Sequence, residues 1–355
     1  MNPGVWPINA LKHTLLTSLL LILAGCNPFS APGTMLDEYV ERTARVLELD
    51  PQFSPIPAAP RLPKRRERQL AVPELEIDML DFLSLYGCDL QVVVGEKNSI
   101  MGRVMQPLNR LRYELRFIAS ARECLPEIDD EDLAGSVRKA VDGKLESLPV
   151  VTWNATWGVE EIESLLTLTK GALPVEATGA VTAALGQDLE RLNTSIASLN
   201  RQELALDLAF VGRVHQHWDA EYRAGQALNS AVLLIARLQD ATALIRQRIE
   251  ARPLCFEGKA NNQAQIVQSM FFTVYVERVQ PYLADVQRAR AELIEPLTRL
   301  GRLQQGVMPD SFRPYFERAL TQAEGSVWQR LDQATGEHTQ AWQSLLEQCG
   351  MRPGA

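Results

Sequence analysis

LGQDLERLNTSIASLNRQELALDLAFVGRV, residues 185–214, decides the fold class. Leu185, Leu189, Leu192, Ile196, Leu199, Glu203, Leu206, Phe210 and Val214 step by four and three in turn, and only Glu203 interrupts the apolar series. Such a seam belongs to a helix packed against other helices in coiled-coil fashion. A second ladder follows at Leu228, Ala231, Ile235, Leu238, Thr242, Ile245 and Ile249. Two more long helices are expected over 262–304 and 311–348. The first contains Pro281 and Pro296, each of which removes a backbone hydrogen bond and should kink it. The second carries Phe316, Leu320, Val327, Ala334 and Leu345. No strand alternation persists anywhere, and aromatics are scarce at 6%. The expectation is an all-α protein: an elongated antiparallel helical bundle with long, proline-kinked helices.

Upstream, residues 74–170 read as a smaller helical part and 175–349 as the long-helix bundle. Helices are expected from Glu74 to a stop at Gly87, over 89–103, and from Pro107, where Leu108, Leu111, Leu115 and Ile118 share a face. Arg110, Arg112, Glu114 and Arg116 read as the solvated side of that helix. Another helix runs 129–146, with acids at its positive end. Residues 147–158, with Trp153 and Trp157, read as irregular, and a short helix follows at 159–169. Before residue 74, Thr34 with Asp37 suggests the start of a helix over 34–47. Residues 50–73 hold six prolines together with Arg61, Lys64, Arg65, Arg66 and Arg68. That composition predicts an extended spacer rather than packed core.

The chain begins with Lys12 and His13 ahead of an apolar run from Leu15 to Ala24. A membrane-spanning helix needs about 20 apolar residues, and this run is roughly half that, as in a signal peptide. It ends at Leu23–Ala24–Gly25–Cys26, which resembles the lipobox of bacterial lipoproteins. The resemblance implies a signal peptide over 1–25, acylation of Cys26 and a tether over 26–73. Asn27, in place of the aspartate that retains lipoproteins in the inner membrane, points to the inner leaflet of the outer membrane, facing the periplasm. Several acyl chains, at about 0.8 kcal/mol per buried CH₂, give durable anchoring.

Four cysteines remain: Cys88, Cys124, Cys255 and Cys349. In an oxidising periplasm an even number favours disulfides. Three connectivities exist. Cys88 and Cys124 flank one expected helix pair, and Cys255 and Cys349 flank the hairpin of the last two long helices, so the pairings 88–124 and 255–349 demand the least of the topology.

Two stretches, YGCDLQVVVGEKNSIMGRVMQPLNRLRYELRFI at 86–118 and FFTVYVERVQPYLADV at 271–286, resemble, together with the lipobox, a family of Gram-negative lipoproteins known only as a domain of unknown function. The resemblance implies no activity and no catalytic residues.

Catalytic and metal-binding signatures are weak. His215, His217, Asp219 and Glu221 lie close in sequence, but on a helix residues two apart point about 200° away from each other, so a bundle-edge cluster explains them better than a metal site. His338 reads as a packed histidine. Ser136 and Lys139 match S-x-x-K without its partner motifs. Asp129, Asp130, Glu131 and Asp132 lack calcium-loop spacing and suit a helix N-terminus. Glu96, Asn98, Ser99 and Arg103 are the polar residues to watch, set between two apolar helices. No catalytic, cofactor or metal residue is assigned. A net charge of −8 gives no pull toward nucleic acid. The expected partners are the membrane, through Cys26, and another envelope protein. Two function classes stand: a non-catalytic envelope lipoprotein that scaffolds or binds, and an envelope hydrolase with an unrecognised site.

Overall fold

The computed structural model describes residues 32–73, 87–98, 105–175 and 179–351. The expected signal peptide, Cys26, the helix expected from Glu74, and Ser99 and Arg103 lie outside them. The described residues are all-α: α1 Pro32–Leu47, α2 Arg65–Arg68, α3 Asp89–Asn98, α4 Pro107–Cys124, α5 Glu131–Thr156 and α6 Glu161–Leu165, then α7 Gly179–Asn200, α8 Val211–Ala220 and α9 Arg223–Ala251. A long composite α10 begins at Asn262 and ends at Leu303, α11 joins Arg313–Tyr315 to Phe316–Leu320, and α12 is Val327–Glu347. The α1 helix opens at Pro32, so Thr34 lies within its first turn rather than capping it.

The centre is α9. It is apolar on nearly every side and is mostly buried within the protein, the pattern of a core helix. Around it pack α1, α10 and α12. The α1, α9 and α12 helices run the same way: Arg237 pairs with Asp37 at 2.5 Å, Arg248 with Glu48 at 3.8 Å, and Leu254 N–H donates to Gln348 at 2.9 Å. The α10 helix runs against α12, as the expected hairpin requires. The ring of Phe271 meets Trp342 at 5.0 Å, Tyr275 meets His338 at 5.0 Å, and Arg290 bonds Asp332 at 2.9 Å. Near the turn, Gly301 lies so close under the Phe316 ring that a Cβ there would clash.

Several boundaries differ from the sequence expectation, each for a local reason. The seam at 185–214 is two helices, not one. The α7 helix ends at Asn200, where Gln202 takes a left-handed backbone (φ 61°) and Glu203 N–H reaches back to Ser198 C=O. This is a Schellman cap built without glycine. Leu206 and Phe210 still pack on the core, from an extended segment. The α5 helix does not stop at 146; it continues through Pro149 to Thr156, and Trp153 and Trp157 stack on each other, with Phe312 edge-on to the first and tilted against the second. In α10 the backbone widens into π-helical turns at Phe271–Val279 and Arg290–Ile294, just ahead of Pro281 and Pro296. An added residue per turn makes room where a proline ring would strike the preceding carbonyls, so the helix passes both prolines. The last arm is broken: α11 stops at Leu320, Gly325 is left-handed (φ 74°), and Ser326 caps α12 by accepting from Gln329 N–H.

The proline-rich arm is extended, but it is strapped to the bundle rather than free. Ser54 N–H donates to Asp240, and Arg237 donates back to Ser54 C=O at 2.9 Å. Arg68 is fully buried; it bonds Pro63 C=O at 2.8 Å and reaches the Trp157 carbonyl and the Glu163 carboxylate. Trp153 donates to Arg68 C=O at 2.6 Å, and Asn154 exchanges two bonds with the backbone of Leu70. Prolines lower the entropy lost on docking an extended chain, and the basic residues supply the latch.

Both expected cysteine pairs form, with Cα–Cα separations of 5.8 Å for Cys88–Cys124 and 5.1 Å for Cys255–Cys349. The first ties α3 to the end of α4, within a second small core that includes Leu90, Tyr113, Phe117 and Val137. The second closes 94 residues. Replacing Cys255 and Cys349 by serine is expected to lower unfolding free energy by up to about 4–5 kcal/mol, the chain-entropy value for so long a loop, measured by denaturant titration. Trypsin is expected to spare the bond after Arg68 in the folded protein and to cut it rapidly in Asn154→Ala, which loses both bonds to Leu70; peptide mapping over time reads the difference.

Candidate functional site

A surface cleft of about 690 Å³ lies between α6, the 166–175 segment and α8. Glu160, Glu161 and Glu163 line one wall and Asp219 and Tyr222 the other. The α6 helix is short because its apolar Ile162 and Leu165 must turn under α8, which brings its acids to the rim. Structural contacts engage much of this lining. Arg65 pairs with Glu160, Arg68 with Glu163, Ser164 donates to Asp219 at 3.0 Å, and the Lys170 ammonium sits 5.4 Å from the Tyr222 ring. At its base Gly225 meets the Thr167 carbonyl so closely that no side chain fits.

The HQHWDAE residues are split by α8. His215 is buried and faces Glu161 and the Ala155 carbonyl, and burial lowers its pKa. His217 points away to Asp188 on α7, 2.6 Å distant. Among the described residues no group of three or more His, Cys, Asp or Glu is placed to hold a metal ion. Ser136 and Lys139 are exposed on α5. Asp130 caps that helix, accepting from Asp132 N–H and Leu133 N–H. Of the polar cluster singled out in sequence, Glu96 forms a two-pronged ion pair with Arg116 on α4, at 2.8 and 3.1 Å. Ser99, Arg103 and the Asn98 side chain lie outside the described residues.

Two buried polar networks were not foreseen. In the small core Glu114 is 1% exposed, not solvated, and takes both Lys144 of α5 and Arg110. The Lys144 ammonium also lies 4.5 Å from the Phe117 ring, and burial lowers its pKa against the pull of Glu114. The second network joins α1, α9 and α12. His338, fully buried, accepts from Tyr39 Oη at 2.7 Å and Trp342 Nε1 at 3.1 Å through Nε2. Its Nδ1 faces Thr242 Oγ1 at 2.9 Å, and that hydroxyl donates onward to Leu238 C=O. The pattern is satisfied by the neutral ring with its proton on Nδ1. Burial pushes the His338 pKa down to about 3.

The architecture defines an all-α, disulfide-stapled bundle whose buried polar groups hold helices together. The chain belongs to a family described as proteins of unknown function (DUF3080), whose model matches residues 36–353, from the second turn of α1 to past Cys349. No curated protein and no solved structure matches the chain.

Because His338 is neutral in the fold and charges near pH 6.5 when unfolded, its contribution is complete above pH 6.5 and is lost as pH falls toward 3. Unfolding free energy is expected to drop by about 2 kcal/mol between pH 7.5 and 5.0 from this residue alone. The check is denaturant titration at both pH values, with a shallower pH dependence in His338→Gln.

Proposed function

We propose that the protein is a lipid-anchored, non-catalytic binding or scaffold protein of the cell envelope, held through Cys26 on the periplasmic face of the outer membrane. The observation that carries this reading is Leu23–Ala24–Gly25–Cys26 followed by Asn27. Two features agree with it. The described part of α1 reaches to Pro32, six positions after Cys26, and six residues span at most about 20 Å, which keeps the bundle near the bilayer. The two disulfides suit an oxidising compartment. Binding is preferred over hydrolysis because three of the four carboxylates lining the 690 Å³ cleft, those of Glu160, Glu163 and Asp219, serve structural contacts with Arg65, Arg68 and Ser164.

Globomycin is expected to make the uncleaved precursor accumulate, and the wild-type mature form to fractionate with the outer membrane. A Cys26→Ser chain is expected to lose acylation, read by palmitate labelling and mass spectrometry. A Cys26→Ser chain that still matures to a membrane-bound form would contradict the reading.

A further inference from the structure

From Ala260 to Val276 the chain holds no charged residue, although 23% of all residues are charged. This stretch is not core. It is the first third of α10, whose inner face buries Val267, Met270, Phe271 and Val274. Its outer face turns Asn262, Gln265, Ile266, Ser269, Phe272 and Thr273 to solvent. Ile266 is 45% exposed and Phe272 is 43% exposed. Phe272 is braced edge-on by the Phe271 ring at 5.3 Å. Immediately before α10, a tight turn with left-handed Glu257 and Gly258, bridged between Phe256 and Lys259, holds Phe256 at 76% exposure. Cys255, next to it, is bonded to Cys349, so the turn is fixed to the end of α12. The charges of the turn cancel, with Lys259 facing Glu257 at 3.7 Å. Beside this face α1 turns Glu41, Arg42 and Arg45 outward, so charge resumes at its edge.

We propose that this charge-free face of α10, with Phe256 at its end, is where two copies of the chain pair. Aromatic anchors, few charges in the middle and a charged rim are the anatomy of a protein interface. A second copy fits it for two reasons. The chain carries a net charge of −8, so copies repel each other overall, and a face without charge is one where two copies meet without setting like charges against each other at the contact. Amide and hydroxyl side chains donate and accept alike, so Asn262, Gln265, Ser269 and Thr273 can bond their own counterparts across a two-fold axis. An isologous contact demands that self-complementarity. The patch spans only about 25 Å of helix, which places the pairing at the small, reversible end of interfaces. The inference is independent of the lipid anchor.

The test uses the full chain, expressed from its own leader, with p-benzoylphenylalanine in place of Phe272 and, separately, of Phe256. Two epitope-tagged versions are produced in the same cells and irradiated. The expected product has twice the monomer mass and carries both tags. The same photoreactive residue in place of Phe53, exposed on the proline-rich arm, is expected to give none. Adding Gln265→Glu and Ile266→Glu sets like charges opposite each other and is expected to cut the Phe256 product about tenfold or more. The Cys255–Cys349 bond and helical circular dichroism report that these variants are folded. A product bearing one tag and a different protein, an adduct with lipid, the absence of a two-tag product at both positions, or a yield unmoved by the added charges would overturn the proposal.

Discussion

A helix that is apolar on nearly every side is stable where other helices cover it, and α9 occupies such a place. Leu228, Leu234, Ala236 and Leu244 are all at most 3% exposed, although they point in different directions around the helix. Covering them takes more than one partner, which is why α1, α10 and α12 surround α9. Burying the helix so fully leaves its polar side chains dependent on partners inside the protein. At its centre they have them: Thr242 joins the His338 network, Ser230 takes Tyr282 and donates to Gln226 C=O, and Arg237 and Asp240 hold the backbone of Ser54. The same helix thus gathers the bundle and fastens the proline-rich arm.

Much of this was legible because packing periodicity is written locally. The ladder from Leu228 to Ile249 is α9, Pro107 opens α4, and the even count of cysteines with their flanking helices led to both disulfide pairs. What escaped was set by conformations that leave no mark on composition. The α7 helix ends in a left-handed Gln202, as α1 ends in a left-handed Glu48, where a glycine would have announced the stop. Pro149 misled in the opposite direction: it sits within α5, which continues to Thr156, whereas α10 runs through Pro281 and Pro296 as its periodicity implied, with widened turns ahead of each. The arm at 50–73 read as a spacer because its anchor points, Trp153, Asn154 and Asp240, lie far away in sequence.

The polar candidates followed the same logic. Helical geometry alone was enough to separate His215 from His217. Glu114 and Lys144 were harder. Each lies among apolar neighbours one turn apart, Leu111, Phe117 and Ile118 for one and Ala140, Val141 and Leu148 for the other. A charge embedded in an apolar stripe was the available signal, and the two are partners across α4 and α5. Burying such a pair contributes little net stability when both members are present, yet leaving either alone is costly. The pair therefore serves register: α4 and α5 fit only where ammonium meets carboxylate.

The placement of α1 also has a mechanical side. It lies lengthwise between α9 and α10, parallel to the first, with Met35, Leu36, Tyr39, Val40, Ala44 and Leu47 all sunk in the core. A pull on the chain ahead of Pro32 would act along the helix axis, in shear. The buried side chains, the Tyr39–His338 bond and the Asp37–Arg237 and Glu38–Arg278 ion pairs would then bear the load together rather than one after another. The first helix of this bundle is built to resist tension.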